Sequence, residues 1–177
     1  MATSQTAEPA ILIPTWYVYN VKMVCGIQNI KVTESCGDAA GTVNNPAVLS
    51  QGIYSTEVNI FNYNDRVSAH ITKYYVPLVK ENKAIGFEPN QQKARRIANI
   101  VLEPNSATGD DCCGIARLLQ VKNKLNIGFL KIVSSVDLTV TAVYTAADIE
   151  KNSVVSIDVE EINAKIIHFF PFPPGTD

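Results

Sequence analysis

Charge is scarce in this sequence. Asp, Glu, Lys and Arg make up 18% of its 177 residues and leave a formal net charge of −2. Globular chains usually carry about a quarter charged residues, so the surface is expected to be rich in Ser, Thr and Asn, or partly covered by a partner. A pI near 5.7 gives no electrostatic reason to bind nucleic acid or anionic lipid. Long apolar runs are also missing: none approaches the roughly 20 residues of a membrane-spanning helix, and no membrane insertion is expected. Residues 1–8 contain neither Lys nor Arg, and Ala10-Ile11-Leu12-Ile13 is broken by Pro14. A secretory signal is therefore not expected, and cytoplasmic synthesis is the default. No Asn-x-Ser/Thr sequon occurs.

The signatures of catalysis are missing as well. There are two histidines, His70 in a strand-like stretch and His168 among Ile and Phe. A Cys–His or Ser–His nucleophile pair would need one of them. No phosphate loop, nucleophile elbow or dinucleotide fingerprint is found. Strands do not alternate with helices, which argues against a doubly wound or barrel enzyme. Glu57, Asp158 and Glu160 fall on strand positions that face solvent. The expectation is a non-enzymatic chain without a cofactor.

Four cysteines occur: Cys25, Cys36, Cys112 and Cys113. A metal site needs three or four ligands, usually with a close Cys-x-x-Cys or His-x-x-x-His pair, and neither spacing is present. Three readings stay open. The cysteines are reduced thiols, with Cys25 in the core. Alternatively Cys25 or Cys36 bridges to one of the adjacent pair and clips the stretch between them. Or a site assembles in space, with Cys25, Cys113 and His70 as weak candidate ligands beside Cys36, Cys112 and Asp110.

What is present is β pattern. In residues 17–25, Tyr19, Val21, Met23 and Cys25 share one face while Asn20 and Lys22 take the other. Residues 26–52 read as a long loop, marked by Gly41 and Asn44-Asn45-Pro46. Residues 54–63 alternate Thr56, Val58 and Ile60 with Glu57, Asn59 and Phe61. Residues 67–78 place Val67, Ala69 and Ile71 on one face, with Pro77 suited to an edge strand or strand end. The turn Asn62-Tyr63-Asn64-Asp65 between them predicts a hairpin. Residues 80–96 read as a basic loop in which Lys93, Arg95 and Arg96 form a solvated cluster. Residues 97–102 form a strand. Asp110 and Asp111 are suited to cap a short helix over 112–119 with Cys112, Ile115 and Leu119 on one face. Residues 127–133, 138–144, 154–159 and 164–170 supply the closing strands. Seven to eight short strands with one short helix predict an all-β, immunoglobulin-like antiparallel β-sandwich. The domain spans 15–168, between an N-terminal arm (1–14) and a Pro-rich tail (169–177).

Several stretches carry a resemblance: Val21-Lys22-Met23-Val24-Cys25-Gly26, Gly52-Ile53-Tyr54-Ser55-Thr56-Glu57-Val58-Asn59-Ile60 and Asp110-Asp111-Cys112-Cys113. They continue with Gly128-Phe129-Leu130-Lys131-Ile132-Val133-Ser134, Leu138-Thr139-Val140-Thr141-Ala142-Val143-Tyr144-Thr145 and Ser156-Ile157-Asp158-Val159-Glu160. Together they resemble a group of bacterial proteins of uncharacterised function, over residues 17–162. The last three also look like the closing strands of bacterial immunoglobulin-like domains. The resemblance implies a fold and no activity.

The leading expectation is a β-sandwich that acts by protein contact, as a self-associating structural subunit whose partner is a second copy. The candidate contacts are the apolar ends, Ile11, Leu12 and Ile13 on one side and Phe169, Phe170 and Phe172 on the other. An edge strand offers free N–H and C=O groups that such a segment can satisfy. One alternative is a carbohydrate or small-ligand module using the loop at 26–52 and Trp16, Tyr17, Tyr19, Tyr54, Tyr63, Tyr74 and Tyr75. Another is a cysteine-based metal or redox protein.

Overall fold

The computed structural model describes residues 14–29, 49–122, 124–151 and 153–168. They form ten antiparallel strands and one helix: β1 (Thr15–Gln28), β2 (Gly52–Asn62), β3 (Ala69–Lys80), β4 (Lys83–Ala84), β5 (Arg95–Leu102), β6 (Ser106–Asp111), α1 (Cys112–Leu119), β7 (Asn126–Ser134), β8 (Thr139–Ala147), β9 (Val154–Glu161) and β10 (Lys165–His168). The protein is thus mostly antiparallel β-sheet with one short helix.

The strands pair in two groups. One runs β10-β1-β7-β3, with β5 and β4 on the far edge of β3. The other runs β6-β2-β8-β9. Strand β1 belongs to both. Its residues Tyr17 to Cys25 pair with β7, and Gly26 to Gln28 pair with β2. The change of partner happens at Gly26, whose φ is +101°. A Cβ at Gly26 would collide with the Lys124 carbonyl, so only glycine fits this corner.

Alternation in each strand decides what is buried. Tyr19, Val21, Met23 and Cys25 of β1, Val58 and Ile60 of β2, Ile71 and Tyr75 of β3, Leu130 and Ile132 of β7, and Val140 and Ala142 of β8 share one core. Strands from both groups therefore face the same interior. Ile115 of α1 seals one side, with Cys112 and Leu119 packed beside it. Asp111 caps the helix, its Oδ1 accepting from the Gly114 N–H at 2.6 Å. Asp110 does not cap. It turns inward to an ammonium, because only its neighbour stands at the N-cap position.

Three expectations are corrected. Ten strands replace seven to eight, because β4 and β6 form in stretches of weak β propensity. Strand β6 contains Gly109 and two aspartates, yet it pairs with β2 over six residues, so pairing outweighs propensity. Strands β2 and β3 are not a hairpin: β2 pairs with β1, β6 and β8, and β3 with β4, β5 and β7. The fully buried Asn62 explains this, since its Nδ2 donates to the carbonyls of Val67, Leu102 and Glu103 and carries the chain from one group to the other. Pro77 pairs with Gly128 of β7 at a register shift, and along its other edge it falls in the gap between β5, which ends opposite Tyr75, and β4, which begins opposite Val79, so its missing N–H costs no ladder bond. Finally, residues 26–28, expected in a loop at 26–52, extend β1, and residues 30–48 lie outside the described residues.

Candidate functional site

Cys25 and Cys112 are joined by a disulfide with a Cα–Cα distance of 5.4 Å and a sequence separation of 87. The bridge ties β1 to the start of α1. Closing a loop of that length is worth roughly 4–5 kcal/mol in the chain-entropy account. The Cys112 Sγ also accepts from the Thr56 N–H at 3.1 Å, and the Thr56 hydroxyl bonds to β1 at Val24. Cys113 is exposed and free. Cys36 lies outside the described residues.

The structure does not bring the weak metal candidates together. Cys25 is consumed in the bridge, and His70 stands exposed on β3. Among the described residues no three His, Cys, Asp or Glu side chains cluster. His168 is exposed on β10, its Nδ1 3.4 Å from the Thr15 hydroxyl. The aromatic candidates are likewise dispersed. Tyr19 and Tyr75 are buried, Tyr63 is exposed, and Tyr74 lies under the Lys131 ammonium at 5.9 Å. Of the basic cluster, Lys93 and Arg95 border one apolar pocket, whereas Arg96 lines a different depression with Trp16 and His70.

Two polar constellations lie in or near the core. The first was not anticipated. Lys73 follows Ala69 and Ile71 on the inward face of β3, and its Nζ meets Asp110 Oδ2 at 2.7 Å. The two side chains are 4% and 15% exposed, so the pair links β3 to β6 across the interior. A lysine at an apolar position of the alternation was the available signal. In the second, the Tyr19 hydroxyl donates to Asp137 Oδ1 at 2.6 Å and accepts from the Leu138 N–H at 2.7 Å. Tyr63 donates to Asp137 Oδ2 at 2.9 Å. Burial, followed by the bond to Asp137, pushes the Tyr19 phenol far above its ordinary value. Both constellations hold elements in place. Asp110 also borders a shallow depression with Glu57 and Asp111, and Asp137 and Tyr63 border another with Tyr17 and Ser135.

The feature that stands apart is β9. It pairs along one edge with β8 and, among the described residues, with nothing along the other. Every residue of β9 is exposed. Val154, Val155, Ile157 and Val159 are 60–69% exposed, which puts β-branched side chains in water on an open edge. Ile157 and Val159 lie on one face by alternation, and Val155 stands at a register shift in the pairing with β8. The corner to β10 is nonetheless anchored, because Ile162 and Ala164 pack on the core and the Ile162 N–H donates to the Val140 carbonyl. Strand β10 then pairs with the start of β1, setting His168 opposite Thr15. The end segments that carry Ile11, Leu12, Ile13, Phe169, Phe170 and Phe172 lie outside the described residues. They attach at neighbouring positions, one before β1 and one after β10.

No family model, no curated protein and no solved structure matches this chain. The group resemblance therefore rests on the quoted stretches alone.

Proposed function

We propose that this chain is a self-associating structural subunit, an immunoglobulin-like β-sandwich that works by protein contact rather than catalysis. The sandwich reading is supported by two antiparallel groups whose inner faces share one core, joined by a strand that changes group at Gly26. The assembly reading rests on β9. An open edge lined with exposed Val and Ile is a pairing template, and monomeric proteins usually blunt such edges with charge, proline or bulges. Strand β9 carries Asp158 and Glu160 on its second face and Glu161 at the end of the first, and its one register shift lies at Val155, so Ile157 and Val159 stand on the edge with no charge between them on that face.

The occupant is the N-terminal segment of a second copy. Ala10-Ile11-Leu12-Ile13 is a short apolar stretch suited to adding a strand, with main-chain bonds for affinity and alternate side chains for register. It stands just before β1, and the 13 residues ahead of Pro14 can reach roughly 40 Å when extended. The disulfide favours an oxidising setting for the assembled protein.

Light scattering after size exclusion of the full chain is the test. An assembly well above the 19.3 kDa of one chain is expected. It should collapse to monomer in Val155→Lys/Ile157→Lys and on removal of residues 1–13, with unchanged circular dichroism. A Cys113→Ser variant separates strand addition from thiol cross-linking, since it should leave the assembly intact. A monomer at roughly 100 µM, or an assembly indifferent to all three changes, overturns the proposal; at micromolar Kd, association at that concentration would be readily seen.

A further inference from the structure

At the end of the core where α1 meets β3 lies a pocket of about 210 Å³. Its wall is apolar: Tyr75, Pro77 and Val79 from β3, Leu119 from α1, and Val121 just after it. Its border is cationic, with Lys80, Lys93 and Arg95 all exposed. Among the described residues the one ion pair is Lys73 with Asp110, and none of these three cations meets a described carboxylate. Tyr75 adds a further observation. It is 1% exposed, lines the pocket, and its hydroxyl has no hydrogen-bond partner among the described residues. The ring is seated against Gly128, where a Cβ would come within 2.5 Å of its hydroxyl. Asn126, by contrast, is fully engaged, accepting from the Glu81 N–H and donating to the carbonyls of Lys122 and Lys124.

We infer that this pocket binds a small monocarboxylate with an apolar body. Three cations around an apolar wall complement one negative charge on a hydrophobic ligand. Arginine and lysine meet a carboxylate through charge-assisted hydrogen bonds, and arginine can do so with two at once. The volume sets the size. A dry apolar cavity of about 150 Å³ admits benzene, so this one holds a ring or a chain of similar bulk with a short acid arm. The apolar body packs on Pro77, Val79 and Leu119, and the acid group reaches Lys93 and Arg95. A larger anion, such as a nucleotide, does not fit. Inorganic phosphate leaves the apolar wall unused.

The test is a titration of the isotope-labelled full chain followed by amide chemical shifts, with phenylacetate, phenylacetamide and inorganic phosphate as the three probes. Phenylacetate should shift the amides of β3 and the end of α1, and bind roughly tenfold or more tightly than the neutral amide, a difference of about 1.4 kcal/mol. Lys93→Ala/Arg95→Ala, at two exposed positions, should bring phenylacetate down to the level of the amide. Val121→Phe should fill the pocket and abolish both. Binding of the amide as tightly as the acid would overturn the inference, as would phosphate binding as tightly as phenylacetate, or no shift with any probe up to about 10 mM, the weak limit for a specific small-ligand site.

Discussion

Strands β2 and β9 are written in the same hand. In β2, Thr56, Val58 and Ile60 alternate with Glu57, Asn59 and Phe61; in β9, Val155, Ile157 and Val159 alternate with Ser156, Asp158 and Glu160. Their surroundings differ. Strand β2 has β8 along one edge and β6 and the end of β1 along the other, and Val58 is fully buried. Among the described residues strand β9 has one neighbour, and its apolar face is open. Alternation defines a face, and the rest of the chain decides whether that face is covered. In β2 the cover is internal. In β9, on the reading proposed above, it arrives with a second molecule.

The largest effect should come from breaking the cover of β2. Asp110 sits opposite Val58 in the β2–β6 ladder and holds Lys73 across the core. Asp110→Ala leaves that ammonium buried without a partner and should cost roughly 3–5 kcal/mol, read by chemical denaturation. Replacing both partners, as in Lys73→Met/Asp110→Ala, should recover much of the loss, because an apolar pair need not be desolvated against charge. If the single variant unfolds no more easily than the wild type, the pair does not hold β6 to the interior.

Much of this cover could be read from the sequence, and the reasons for the gaps are physical. The faces of β1 and β2 followed from period-two alternation, and the helix over 112–119 from its cap and the spacing of Cys112, Ile115 and Leu119. Strand β6 could not be read that way, since Gly109, Asp110 and Asp111 lack a β-branched pattern and owe their extended form to β2. The turn after β2 misled in the opposite sense: Asn62-Tyr63-Asn64-Asp65 has turn chemistry, but turn chemistry does not say which strand follows alongside. A bridge from Cys25 to one of the adjacent pair was one of three open readings, and only the fold selects Cys112, because four cysteines allow several pairings until the chain is folded. The cationic pocket escaped notice because Lys80, Lys93 and Arg95 gather around an apolar wall drawn from β3 and α1.

Alkaline pH probes the covered region more gently. Burial pushes the Tyr75 phenol from about 10 to about 12. Burial first, then the charge of Glu160, does the same for Tyr144, whose hydroxyl lies 3.2 Å from Glu160 of β9. A phenol raised in the folded state holds its proton longer than it does in the unfolded chain. Its contribution is therefore complete below pH 10 and is lost as pH rises from there toward the folded value near 12. Stability should be level on this account up to about pH 10 and then fall, with Tyr75 responsible for on the order of 2–3 kcal/mol. Tyr75→Phe should change little at neutral pH, since the hydroxyl has no partner among the described residues, and should flatten the alkaline limb. An unchanged limb would mean that Tyr75 ionises as freely in the folded chain as in the unfolded one.

The smallest effect on the isolated chain tests the comparison most directly. Ile60 is 1% exposed and Ile157 is 63% exposed. Ile60→Ala should cost roughly 2–5 kcal/mol, because it empties a packed site. Ile157→Ala should lie within about 0.5 kcal/mol, as exposed substitutions do. Both values hold at dilutions where the chain is monomeric. At concentrations where it associates, assembly adds its own linkage to apparent stability, and the two strands should diverge less. There Ile157→Ala should lower the apparent stability, since the wild type gains from burying Ile157 against its neighbour, while the cost of Ile60→Ala should be unaltered. A concentration-independent Ile157→Ala would mean that β9 keeps its open face in every state of the protein, and the difference between the two strands would then be one of exposure alone.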